Sequence, residues 1–336
     1  MSNGLFAIKA VSAAEGEDQQ LIRTLSLPAL TAFGIGSIIG TGIFVLTGTA
    51  AANHAGPALV VSFLLAGCAG AFAALCYAEL ASMIPVAGSA YSYAYATLGE
   101  LVAWFIGWNL VLEYTFSVAT VAVGWSAYVV SLLAQFGVHL PEALIQAPVD
   151  RGPGDVGLIA TGAILNLPAV LIVGAVAYVC YIGIRESAAL NSAIVVLKIS
   201  VVLGFVLLGA GFVTTANWHP FVPPNTGRFG HFGWSGVLAA AGIIFFAFIG
   251  FDTVSTCSQE AKNPRRDVPL GIIASLAICS VLYVATALVL TGMCGVSPCQ
   301  RGSAARAALT AAFTSAALPW AISAIFFPVE GSAVSK

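Results

Sequence analysis

Charge is scarce in this chain. Of its 336 residues only 8% are Asp, Glu, Lys or Arg, against roughly a quarter in soluble domains, which excludes an ordinary water-soluble fold. A basic excess is also missing: 12 Lys and Arg face 14 Asp and Glu for a net charge of -2, so no positive field exists to hold nucleic acid. The seven cysteines show no C-x-x-C spacing and are odd in number, which supports neither a disulfide frame nor a metal site, and no cofactor is called for. Residues 1–28 carry Lys9, Glu15, Glu17, Asp18 and Arg23 and lack an apolar core before a small-residue cleavage site, so they read as a cytosolic tail rather than a signal peptide. What the sequence does have is apolar length. With 59% hydrophobic residues and a mean hydropathy of +0.97, it reads as an all-α integral membrane protein in a lipid bilayer.

A bilayer core needs about 20 mostly apolar residues per helix. The gaps between charges then predict seven spans, at 30–52, 58–84, 98–134, 158–184, 190–214, 234–258 and 268–292. The stretch 85–97, with tyrosines at alternate positions, is too polar to span and is expected at the inner surface. With the amino terminus inside, the inner loops hold Lys9, Arg23, Arg185, Lys262, Arg265 and Arg266, and the outer ones only Arg151 and Arg228. That bias predicts a cytosolic amino terminus in the inner (plasma) membrane.

Two spans cannot be regular throughout. The first reads Gly34-Ile35-Gly36-Ser37-Ile38-Ile39-Gly40-Thr41-Gly42, and each glycine costs a helix about 1 kcal/mol. Gly36 and Gly40 also fit small-xxx-small packing, which is the alternative for this run. The sixth reads Phe245-Phe246-Ala247-Phe248-Ile249-Gly250-Phe251-Asp252, placing a glycine and an acid inside an apolar segment. Gly-interrupted helices at corresponding positions are the mark of a transporter built from inverted repeats. Half-helix amino termini favour an anionic group and unwound carbonyls a cationic one, so the pair suits a zwitterion.

These segments, with Pro85-Val86-Ala87-Gly88-Ser89-Ala90-Tyr91, Asn217-Trp218-His219-Pro220-Phe221 and Glu260-Ala261-Lys262-Asn263-Pro264, resemble the amino acid, polyamine and organocation permease superfamily. Within it they look like the bacterial relatives of cationic amino acid transporters. The resemblance covers residues 21 to about 292. It implies a leucine-transporter-type inverted-repeat fold, with seven helices present of about twelve and the first and sixth discontinuous. The first repeat would be 29–215, the start of the second 233–292, and 293–336 a divergent tail with at most one short span at 307–327. The implied activity is secondary active amino acid transport by alternating access, proton-coupled or sodium-independent. Carried over by position, the substrate carboxylate would meet Thr41 and Gly42, and the ammonium the carbonyls of Ile38, Phe246 and Ile249. Gly250 would leave room for the substrate side chain and Phe251 could cover it.

Three buried charges need a reason, since an ionisable group inside a span is a functional candidate by default. Lys198, mid-way along the fifth span, is a candidate for proton coupling, and in similar permeases a lysine there looks like a replacement for a bound sodium ion. A fixed cation tying the fifth helix to first-helix carbonyls is the alternative. Glu113 in the third span is the second candidate on a proton path, or else a structural carboxyl. Asp252, just past the sixth-helix break, is expected to cap the half-helix that follows. Glu79 reads as a surface position.

An enzyme is the remote alternative, because Gly233-Trp234-Ser235-Gly236 matches the G-x-S-G of intramembrane serine proteases. The four histidines all fall in outer loops or at span ends, leaving that serine without an evident base. A nearer alternative is a truncated or frameshifted permease that does not transport, since two repeats of five helices exceed seven spans.

Overall fold

The structure is a computed structural model in which Ile8, 23–40, 42–151, 157–182 and 188–293 are described. Thr41, Arg185 and the expected short span at 307–327 lie outside the described residues.

Helix α1 (Leu27–Ile38) opens with Pro28 in its first turn, where a missing N–H breaks no helical bond. It ends at Ile39, whose ψ of 99° is extended. The span resumes as a π-helical turn at Gly42–Leu46, then α2 (Thr47–Ala50) and a second π turn at Ala51–Ala55. α3 (Leu59–Met83), α4 (Ser89–Thr97) and α5 (Glu100–Gln135) follow, then β1 (Val149–Arg151), β2 (Leu158–Ala160), α6 (Leu167–Ile182) and α7 (Ala188–Ala210). α8 (Gly233–Phe245) tightens into a 3-10 turn at Phe246–Phe248, and Ile249 then turns extended with ψ 137°. Helix returns in α9 (Thr253–Thr256), and α10 (Pro264–Met293) is the last described element. Among the described residues four stretches are long and apolar enough to cross a membrane: Thr47–Met83, Glu100–Ala134, Gly233–Thr256 and Pro264–Met293. Shorter apolar helices run over Leu27–Ile38, Leu167–Tyr178 and Val195–Ala210.

α10 sits at the centre, packed on α3 and α1. Its buried row Ile272, Leu276, Cys279, Tyr283 and Ala287 recurs at steps of three and four, one face of a helix. Between helices in lipid the cohesion is close packing rather than expulsion of water. The rings of Phe63, Phe248 and Tyr283 supply it in a triangle with centroids 5.3 to 6.3 Å apart, the spacing aromatic pairs favour.

One expectation changes. The fourth span begins at Leu167 rather than 158, because Leu158–Ala160 pairs antiparallel with Val149–Arg151. Asn166 then marks the helix start, its Oδ1 accepting the Ala169 N–H at 3.2 Å. Residues 85–97 do not span, and Tyr91 and Thr97 on them are exposed. α4 turns Ser89 and Tyr93 inward, at 3% and 2% exposure.

At one end of the bundle the chain preceding α1 is fastened down. Leu25 donates its N–H to the Glu260 carbonyl (3.0 Å) and accepts from the Lys262 N–H (2.9 Å), a parallel bridge to Ala261.

Candidate functional site

The two interruptions face each other. Gly42 lies against Ala247 so closely that a Cβ at Gly42 would collide with the Ala247 Cα and Cβ. Gly250, at φ +116°, lies under the Ser37 carbonyl, whose oxygen would be 2.8 Å from an added Cβ. Only glycine fits either place. By contrast Gly40 has nothing within 4 Å of a Cβ, so helix packing does not explain it.

A cavity of about 100 Å³ opens between these breaks and α5, lined by Gly36, Ser37, Ile38, Gly40, Gly42, Tyr114, Ser117, Val118, Val121, Phe246, Ile249, Gly250 and Thr253. That is several times the room one ordered water needs. Backbone polar groups freed by unwinding border it, the arrangement in which irregular backbone is tolerated at membrane depth. The Ser37 and Ser117 hydroxyls are buried without a hydrogen-bond partner among the described residues. No Asp, Glu, Lys or Arg lines the cavity among the described residues.

Of the residues expected to hold substrate, Ile38, Gly42, Phe246, Ile249 and Gly250 meet at this cavity, while Thr41 is outside the described residues. Three details differ from expectation. The Ile38 carbonyl already accepts the Tyr283 hydroxyl at 2.8 Å, a hydroxyl also 3.1 Å from the Ala247 carbonyl. The missing Cβ of Gly250 makes room for the Ser37 carbonyl of the first span, a close approach the sequence did not predict. Phe251 is not a lining residue; its ring packs edge-on against Tyr77 at 5.5 Å.

Asp252 stands at the cap position of α9 but makes no side-chain cap bond. Its Oδ2 instead accepts from the Tyr114 hydroxyl (3.2 Å) and the Ser89 hydroxyl (3.3 Å). A carboxylate 5% exposed thus ties the sixth-span break to α5 and α4. Glu113, next to Tyr114, is half-buried and within the electrostatic reach of Asp252. Lys198, 1% exposed, donates to the Gly36 carbonyl at 2.7 Å. It therefore satisfies a carbonyl just before the first break, the contact a fixed cation would make. Glu79 is exposed.

Ser89, Tyr114, Ser117 and Tyr283 are functional candidates that sequence reading missed. Hydroxyls at helical spacing carry no signal until the partner backbone is located. Ser235, the serine of the G-x-S-G match, is held by Asn225 Nδ2 at 2.8 Å and the Gly230 N–H at 3.3 Å. It orders a loop.

A sequence profile described as amino acid permease matches residues 25–329. The chain belongs to the amino acid permease family. The match runs past residue 292, where sequence reading placed the end of the resemblance. This is a family of transporters and not of enzymes, which removes the protease reading. A methylthioribose transporter of Bacillus subtilis (strain 168) is 51% identical over 280 residues, 83% of this chain and 57% of that protein. The branched-chain amino acid permease BcaP of the same organism is 49% identical over 296 residues, 87% of this chain and 60% of the relative. Cationic amino acid transporter 3, mitochondrial, of Arabidopsis thaliana is 41% identical over 277 residues, 82% of this chain and 43% of its own length. The chain thus spans about three fifths or less of these relatives. With its apolar helices, family membership makes it a multi-pass membrane protein.

Proposed function

We propose that this chain forms the substrate-binding core of a secondary active permease for neutral or zwitterionic amino acids, working by alternating access. The observation that carries the reading is the cavity at which both interrupted spans meet, with Ile38 and Gly42 on one side and Phe246 and Ile249 on the other. In this reading the substrate carboxylate lies at the amino-terminal end of Gly42–Leu46, near Thr41 and Gly42, where free N–H groups point toward it. The ammonium lies at the carbonyls of Ile38, Phe246 and Ile249. Binding the ammonium at Ile38 draws on the second lone pair of a carbonyl that Tyr283 already uses.

Lys198 and Glu113 are assigned to proton coupling, with the Lys198 bond to Gly36 as the link between protonation and the first-span break. The amino terminus is assigned to the cytosolic face of the plasma membrane, on the strength of Lys262, Arg265 and Arg266 beside the Leu25 bridge.

Uptake of radiolabelled amino acids into proteoliposomes tests the proposal. The panel contains leucine, valine, arginine and, because of the relative's name, methylthioribose. Saturable, self-inhibited uptake of a neutral amino acid is the expected result. Uptake of methylthioribose alone would replace the substrate assignment. Absence of any saturable uptake by this chain, with uptake by a version extended to the relatives' length, would assign transport to the longer form only.

A further inference from the structure

We propose that His54 and His231 form a two-histidine site for a zinc-type divalent ion, at the end of the bundle opposite the Leu25 bridge. His54 closes the first span and His231 lies in the loop before α8. The His54 Nδ1 is 2.6 Å from the Gly230 carbonyl. A carbonyl only accepts, so Nδ1 carries the hydrogen and Nε2 keeps its lone pair. Donation of one ring N–H to a backbone carbonyl is how metal-binding histidines are oriented. The His231 ring is 5.7 Å away between centroids. Two imidazoles sharing one zinc ion at about 2.0–2.1 Å from each nitrogen have centroids roughly 5 to 6 Å apart.

The two rings belong to one hydrogen-bonded scaffold. Phe232 donates its N–H to the His54 carbonyl at 2.8 Å, and the His231 N–H meets the Arg228 carbonyl at 3.3 Å. Asn225 Nδ2 reaches the Phe232 and Arg228 carbonyls, both at 3.1 Å. The His54 ring and the backbone that carries His231 are therefore held in place before an ion arrives, and the exposed His231 ring turns to complete the pair. No third His, Cys, Asp or Glu joins them among the described residues, so water fills the remaining positions. Imidazole suits zinc, copper and nickel, and two protein ligands make an exchangeable site rather than a structural one. An ion there ties the end of the first span to the loop that starts the sixth, the two elements whose breaks meet at the cavity. Its effect is to clamp this end shut.

Calorimetric titration of the untagged, detergent-purified chain with zinc chloride tests the site. One ion per chain is expected, with affinity at least tenfold weaker in His231→Ala and in His54→Gln, and unchanged in His139→Ala. His231 is exposed, so its variant reads out binding even if His54→Gln folds poorly. No saturable binding by the parent chain, or binding that survives His231→Ala, overturns the site. In proteoliposomes zinc should slow uptake reversibly with EDTA, in the parent and not in His231→Ala. Zinc that binds but leaves uptake unchanged overturns the clamp. Zinc binding without any uptake by this chain leaves the site standing, and the clamp is then read in the version extended to the relatives' length, where uptake unchanged by zinc overturns it.

Discussion

The Tyr283 hydroxyl lies 2.8 Å from the Ile38 carbonyl and 3.1 Å from the Ala247 carbonyl. One phenol on α10 thus holds the last helical residue before the first break and the residue of the sixth span on which Gly42 packs. It has a single proton for two acceptors, so its bond can shift when a substrate ammonium takes part of the Ile38 carbonyl.

Tyr283→Phe keeps the ring and its packing with Phe63 and Phe248 but removes that donor. A hydrogen bond of this kind contributes about 1 kcal/mol net. The variant should lose a few degrees of thermal stability and bind substrate several-fold more weakly, with the maximal rate changed less than the half-saturation concentration. Concentration-dependent uptake beside a thermal unfolding curve checks both.

Gly42→Ala should be far more damaging than its one carbon suggests. The added Cβ meets the Ala247 backbone, which has no rotamer to move. Overpacking of this sort costs about 1–3 kcal/mol, and here the strain falls on the crossing of the two breaks. Gly40→Ala, with open space around it, is the matched control. Purified yield and thermal stability should fall sharply in the first and little in the second.

Asp252 is the junction of three elements through Tyr114 and Ser89. Tyr114→Phe or Ser89→Ala removes one hydrogen bond to a buried carboxylate, worth about 1.5–3 kcal/mol when the acceptor is charged. Each should shift the balance between the two access states. The measurement is the rate of thiol labelling at a cysteine placed near the Leu25 bridge, expected to rise in both variants.

Lys198→Met preserves length and apolar stem and deletes the cation at the Gly36 carbonyl. If Lys198 couples protons, uptake in the variant should lose its dependence on an imposed pH gradient while exchange of internal for external substrate persists. An unchanged gradient dependence assigns the lysine to the fixed-cation role.

The sequence was most readable where a rule of the bilayer applies. Gly250 beside Asp252, and the glycine run from Gly34 to Gly42, stand out because glycine and charge are costly inside an apolar helix, and both breaks are where those residues are. The start of the fourth span was misread because Leu158–Ala160 is as apolar as a helix and its pairing with Val149–Arg151 is not a local property. Asp252 was read as a cap for the same reason. Its position at a helix start is local, whereas its partners, 138 and 163 residues away, come from helices whose register hydropathy does not fix. Tyr283 is hidden likewise, as one apolar-looking residue on a buried face until the Ile38 carbonyl is placed opposite it.

The central claim is that substrate occupies the cavity between Ile38, Gly42, Phe246 and Ile249. Ser117 lines that cavity from α5 with a hydroxyl that has no partner among the described residues. The most direct measurement is the rate at which a small thiol reagent modifies Ser117→Cys, in a chain whose native cysteines are replaced, with and without saturating substrate. Modification slowed severalfold by the transported amino acid, and not by a non-substrate, is the predicted result. Equal rates in the presence of bound substrate would contradict it.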